Sequence, residues 1–268
     1  MFQTLLTIIS LVFYLAATRT LIGRLFHADG IDFKRVLVFA CGAIIPHTLF
    51  IVSEMFTPTG QDFSLINVVS LVCLSIAISV SLSTIKQPAP FLLSVVYGFC
   101  AFIQLCTLLF PKHVVVQHFF SNLPLAGHIT LSLLAYCVLI IATLYAIQFQ
   151  YINRKLKSKD LSVVSCHFPP LMQVEKQQFR LLSIGTLLLS LALLSGFIYL
   201  DNMFARSVAH KTILSMIAWV IYVALIVGHR YRGWRGKSAV IGTITGAILL
   251  TLAYFGSRFV REIILGRF

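Results

Sequence analysis

Acidic side chains are scarce in this 268-residue chain, which has 8 Asp and Glu against 21 Lys and Arg. Asp29, Asp32, Glu54, Asp62, Asp160, Glu175, Asp201 and Glu262 all fall between or at the ends of long apolar runs, none in the middle of one. Pumps and ion-coupled carriers keep an ionisable group within the hydrocarbon to carry charge. Its absence speaks against a cation transporter or proton pump. Paired carboxylates, a phosphate-binding loop, G-x-S-x-G and H-E-x-x-H are also missing, so nothing supports hydrolytic chemistry and the sequence gives no ground for calling the protein an enzyme. The 6 cysteines form no C-x-x-C and no C-x-x-C-H, which removes a zinc cage, a thiol relay and a covalent c-type haem site. Cys41, Cys73, Cys100, Cys106 and Cys137 lie in apolar runs and read as small buried hydrophobes. Cys166, beside His167, falls in a loop.

What is present is apolar. With 59% hydrophobic and 11% charged residues and a mean hydropathy of +0.94, the chain has more apolar surface than a soluble domain of this length can hide. Runs near the length of a spanning helix cover about 2–18, 36–53, 65–85, 91–110, 125–149, 180–200, 209–228 and 238–257. The alternation of an outer-membrane barrel is missing. The expected fold is therefore an all-α polytopic bundle of about eight transmembrane helices. It forms a single integral membrane domain over 1–268, in which 1–120 is poor in motifs and 125–268 holds the characteristic ones.

Basic residues are retained on the cytoplasmic side during insertion. One set of loops carries Arg19, Arg24, Lys34, Arg35, Lys86, Arg154, Lys155, Lys157, Lys159, Lys176, Arg180, Arg230, Arg232, Arg235 and Lys237. The other has Lys112, Arg206 and Lys211, with Arg258, Arg261 and Arg267 in the tail. Both termini are expected outside, and the tail, which mixes arginines with Phe259, Ile263 and Ile264, reads as a short interfacial helix. This topology accounts for most of the +13 net charge and leaves no soluble basic domain for nucleic acid. The first run has no Lys or Arg before it and no small-residue cleavage site after it, so it reads as a retained helix. The longest loop, about 150–179, is expected inside, with Pro169-Pro170 starting a surface helix that leads into span six. Its basic run suits anionic lipid.

Histidine is a poor choice for lipid and a good one for iron. His27, His113, His118 and His167 lie in loops, where solvation explains them, and His47 lies near mid-bilayer. His210 and His229 bracket span seven, 19 residues and hence about 28 Å apart, so they cannot share one metal. His128 and His210 each enter a span from the outer side at matched depth. If spans five and seven are neighbours, their imidazoles can grip iron or haem between them. Ser132, one turn below His128, is then a candidate for a supporting hydrogen bond, and Lys211 or Arg206 for a propionate. The bland alternative is that both are interfacial residues bonded to carbonyls or water. Trp219, nine residues beyond His210, reads as packing, and Trp234 as an interfacial anchor.

Several motifs keep a common order and spacing over a little more than half the chain. These are Gly127-His128-Ile129 with Ser132 and Tyr136; Pro169-Pro170-Leu171-Met172; Ala209-His210-Lys211-Thr212 with Ser215 and Trp219; Gly233-Trp234-Arg235-Gly236; and Leu252-Ala253-Tyr254-Phe255-Gly256-Ser257. In these the chain resembles the cytochrome c assembly protein family, the polytopic group of CcsA, CcmC and HemX, and most closely its YpjD-type inner-membrane branch.

The resemblance implies haem handling in the bacterial inner membrane, with histidines as iron ligands to a non-covalent b-type haem. By position it assigns His128 as the external histidine and His229 as a site nearer the cytoplasm, while His210 falls in the branch's own His-Lys-Thr motif. The Trp-rich outer loop of the haem-presenting members is absent, since Leu200 to Arg206 contains no tryptophan, and no histidine follows the last span. The implied role is thus a haem-binding accessory or chaperone in cytochrome c or haem-protein assembly, with haem, apocytochrome c or other assembly proteins, and membrane lipid as partners. The alternatives are a small-molecule or haem transporter, to which a Gly242-x-x-x-Gly246 packing motif would contribute, and a non-haem partner subunit.

Overall fold

The computed structural model describes residues 2–24, 31–57, 60–62, 64–86, 89–109, 116–117, 123–159, 169–199 and 209–256. The expectations for His27, His113, His118, Cys166, His167, Arg206 and the tail from 257 onward lie outside the described residues. Eight helices are long and apolar enough to cross a membrane. They are α1 (Phe2–Arg24), α2 (Phe33–Met55), α3 (Leu65–Lys86), α4 (Pro90–Leu109), α5 (Leu123–Lys157), α6 (Leu171–Tyr199), α7 (Ala209–Arg232) and α8 (Lys237–Thr251), the last running into a π-helical turn, Leu252–Gly256.

Several boundaries differ from those expected. α5 continues through Arg154 and Lys155 to Lys157, so about eight residues assigned to a loop are helical. Apolarity marks where hydrocarbon ends, whereas a helix goes on while its backbone bonds are made. Cations in the last turn also meet the negative end of the helix dipole. α6 begins directly after Pro169-Pro170, as expected, and is one helix through the polar segment and the span. Two-residue and three-residue strands also occur: β1 (Phe56–Thr57), β2 (Gly60–Asp62) and β3 (Val116–Gln117) pair antiparallel in that order. They give backbone groups between the helices hydrogen-bonding partners.

The chain divides into two compact units, residues 1–117 with 154–170, and residues 118–153 with 171–268. In the first, α1 packs on α2 and α4, and α3 packs on α4 and α2. The buried stripe of α1 is Leu6, Thr7, Ser10, Tyr14, Ala17 and Leu21, whereas Leu5, Val12, Leu15 and Ile22 are exposed. Apolar residues thus face outward as well as inward, as lipid allows, and small or polar side chains are left for helix contacts. Of the described cysteines, Cys73, Cys100 and Cys137 are buried, Cys106 is partly so, and Cys41 is exposed on α2, contrary to the expectation that all five are buried. Its thiol is apolar enough to face lipid.

In the second unit, α7 packs on α6 and on α8. A Cβ on Gly246 would stand 2.6 Å from the Tyr222 ring, and one on Gly242 would stand 2.8 Å from Leu225, so these glycines seat α8 against α7. The link between the two helices turns at Gly233 and Gly236, with φ of 64° and 65°, a region other residues rarely adopt.

Candidate functional site

His128 stands one turn into α5, and its Nδ1 lies 3.0 Å from the Ser195 hydroxyl near the end of α6. Ser195 spends its own proton on the Ala192 carbonyl at 2.8 Å. With the Ser195 proton placed there, an imidazole that donates from Nδ1 completes the chain and presents its Nε2 lone pair. The ring also reaches the Ala192 backbone carbonyl, the group that accepts from Ser195. An imidazole anchored through Nδ1 with Nε2 presented is the arrangement found at metal-ligating histidines.

One and two turns along α5, aromatic side chains converge. The Tyr136 ring lies 5.2 Å from Tyr254 and 5.5 Å from Phe255. Tyr136 and Thr251 share a hydroxyl bond of 3.0 Å, and the Tyr254 hydroxyl donates to the Ser132 carbonyl at 3.1 Å. The π-helical turn brings Tyr254 and Phe255 round to α5, an insertion of the sort common at functional sites. Ser132 is buried and serves through its backbone. The hydroxyl that orients His128 is thus Ser195, and the sequence offered no signal for it, because a serine 67 residues away has no visible link to His128.

His210 is the second residue of α7 and is exposed, with no partner among the described residues. It is not bonded to His128. Lys211 follows it, partly buried. The relative level of the two histidines comes from contacts through α6. Ser195 lies opposite His128, and Ser190, five residues earlier, receives the Trp219 indole N–H at 2.8 Å. Five residues before Trp219 is Leu214, four residues and so about 6 Å of helix rise from His210. α5 and α7 are not among the closely packed helix pairs; they are linked by α6, which bonds to both, and by α8, which bonds to α5 and packs on α7. Trp219 acts as packing, as expected, and ties α7 to α6.

At the far end of α7, the His229 ring stacks on Phe179 at 3.6 Å between centroids and 13° between planes. Its Nδ1 donates to the Trp234 carbonyl at 3.0 Å, so this imidazole, too, is left with Nε2 as its open nitrogen. The Trp234 indole covers Gly228, where a Cβ would collide with it, and Arg235 reaches to 4.0 Å from Glu175. His229 and His128 thus stand at opposite ends of α7 and α5 in this unit, each held through Nδ1.

His47, in the first unit, differs from all of these. It is fully buried, with Nδ1 3.1 Å from the Tyr14 hydroxyl and Nε2 2.9 Å from the Ser70 hydroxyl. Both nitrogens are occupied, which leaves no lone pair for a metal. Among the described residues, no three His, Cys, Asp or Glu side chains gather as a metal cage. The donor set fits a planar cofactor held by one or two imidazoles against aromatic rings better than a naked ion. In the second unit, the Tyr222 hydroxyl is buried without a hydrogen-bonding partner.

The model of the family described as "Cytochrome C assembly protein" matches residues 37–265. Inner membrane protein YpjD of Escherichia coli K12 is 35% identical over 259 residues, covering 96% of this chain and 98% of that protein. An uncharacterized 28.8 kDa protein of Azospirillum brasilense is 31% identical over 141 residues, 52% of each chain. Cytochrome c biogenesis protein CcsA of Prochlorococcus marinus MIT 9313 is 26% identical over 102 residues, 37% of this chain and 32% of that one. No solved structure matches.

Proposed function

The chain belongs to the cytochrome c assembly protein family, and from that premise we infer that it binds haem non-covalently as an accessory or chaperone in cytochrome c assembly. Membership supports a role in cytochrome c biogenesis. Eight membrane-crossing helices and an inner-membrane relative along nearly the whole length make it a multi-pass inner-membrane protein.

The observation that carries the haem reading is the anchoring of the His128 ring through Nδ1 by Ser195, which suits presentation of Nε2 to iron. The distribution of Lys and Arg puts the start of α5 and α7 at the periplasmic face and both chain termini outside. His128 is the first iron ligand and His210, about a turn off in level, the second. The Tyr136, Tyr254 and Phe255 rings give the porphyrin an apolar wall, and Lys211 brings positive charge to a propionate. Ser132 holds Tyr254 through its carbonyl. His229 serves a separate position at the cytoplasmic end. Bound in this unit, haem is the group to be passed to an apocytochrome c or another assembly protein.

Haem titration of the purified, detergent-solubilised protein tests this reading. The expected result is a Soret band that His128→Ala and His210→Ala each reduce. A protein that stays colourless after haem addition overturns it and favours a non-haem partner subunit.

A further inference from the structure

The first four helices contributed hydropathy and few motifs, yet their interior holds a set of polar side chains that packing leaves incomplete. Ser10, His47, Ser70 and Gln104 are each 0% exposed. His47 joins α1, α2 and α3 by its bonds to Tyr14 and Ser70. Gln104 has neither amide atom bonded, and Ser10 Oγ is also without a partner. Buried polar groups are almost always satisfied, and an amide left bare in a low-dielectric interior is costly.

The serines are informative in a second way. Most serines and threonines in these helices return their proton to a carbonyl three or four residues back, as Thr7 does to Gln3 and Thr18 to Tyr14. Ser10 and Ser70 do not. Their hydroxyls turn away from the helix backbone, Ser70 to His47 and Ser10 to no described group.

These groups share one level. Thr18 touches α1's neighbour at Gly98, where a Cβ would lie 3.8 Å from its methyl group. α1 and α4 run in opposite directions, so Gln104, six residues beyond Gly98, is level with Val12. That is about 3 Å of helix rise from both Ser10 and Tyr14. The unspent amide and hydroxyl therefore lie near the level of the Tyr14 end of the Tyr14–His47–Ser70 chain.

We propose that the interior of the first four helices is a binding site for a small neutral hydrogen-bonding guest, ordered water in the resting protein, held by Gln104 and Ser10 beside Tyr14 and continuous with His47 and Ser70. No carboxylate, lysine or arginine is among these groups, so the site offers an ion no counter-charge at a depth where bare charge is expensive. Both imidazole nitrogens are taken, and the Cys100 thiol beside Tyr14 donates to the Cys73 carbonyl, so the guest meets hydroxyl, amide and thiol groups. Ser10 and Gln104 can each donate or accept, which suits a water that makes two to four bonds, while the Tyr14 hydroxyl is engaged by His47 and Cys100.

Two measurements on the intact chain test this. In the wild-type protein with 15N-labelled glutamine, the Gln104 side-chain amide, assigned by its loss in Gln104→Leu, should exchange magnetisation with water despite its burial. In thermal unfolding, Gln104→Leu should melt lower by about 2–4 °C, because it removes the guest's partner and strands Ser10. An amide with no water cross-peak, in a protein that Gln104→Leu leaves unchanged or makes more heat-stable, overturns the proposal, since an unsatisfied dry amide is relieved by an apolar replacement. If the leucine variant fails to fold, Gln104→Asn supplies the assignment and the wild-type cross-peak decides.

Discussion

His128 and Ser195 meet Nδ1 to Oγ at 3.0 Å across the α5–α6 interface, and the serine's own proton is committed to Ala192. With that proton so placed, the serine accepts from Nδ1 and the ring presents Nε2. This makes Ser195 a positioning residue for whatever Nε2 binds.

Ser195→Ala should therefore weaken haem binding by about 10–100-fold, the usual cost of losing a group that orients a ligating histidine. Ser195→Thr, which keeps the hydroxyl, should restore most of it. His128→Ala should cost more than either. Soret absorbance during haem titration measures all three, and wild-type affinity in Ser195→Ala would show that the ring needs no anchor.

His47→Leu should lower stability without touching haem affinity. Removing the ring strands the Tyr14 and Ser70 hydroxyls in a dry interior, at about 1–3 kcal/mol for each unsatisfied group. Thermal unfolding in detergent reads the loss. A haem titration on the same sample reads the second unit, where His128 stands, and should match wild type.

The two glycines on α8 should differ. Gly246→Ala sets a methyl against the buried Tyr222 ring, which has no other place to go, whereas Gly242→Ala meets the end of a Leu225 side chain that can change rotamer. Overpacking costs about 1–3 kcal/mol, so Gly246→Ala should fall in that range and Gly242→Ala below it. Paired melting curves make the comparison.

Gly228→Ala should dislodge the Trp234 indole and loosen the His229 bond to the Trp234 carbonyl. The chain has only 2 tryptophans, so Trp219→Phe leaves Trp234 as the sole reporter. In that background, Gly228→Ala should shift Trp234 emission to longer wavelength as the ring moves into water. An unchanged spectrum would mean that the glycine is not what seats the indole.

The eight crossings were legible because a bilayer imposes a length of apolar chain that no soluble fold requires. The Pro169-Pro170 start of α6 was legible for a similarly local reason, since proline's fixed φ and missing N–H suit a first turn. The end of α5 was not, because Arg154 to Lys157 are as compatible with a helix leaving the membrane as with a loop. Cys41 and Cys100 read alike in sequence, yet one is exposed and the other buried. When every face of a helix is apolar, hydropathy carries no information about which side meets a neighbour.

Sequence alone determined that this is a multi-span membrane protein of the cytochrome c assembly family, and it singled out the histidines as residues lipid would not select. Tertiary structure decided what each histidine can do. Ser195 holds Nδ1 of His128, the Trp234 carbonyl accepts from Nδ1 of His229, and Tyr14 with Ser70 closes both nitrogens of His47. The physical reason is that an imidazole's capacity as a ligand is set by which nitrogen holds the proton, and that is settled by hydrogen-bonding neighbours, most of them on other helices.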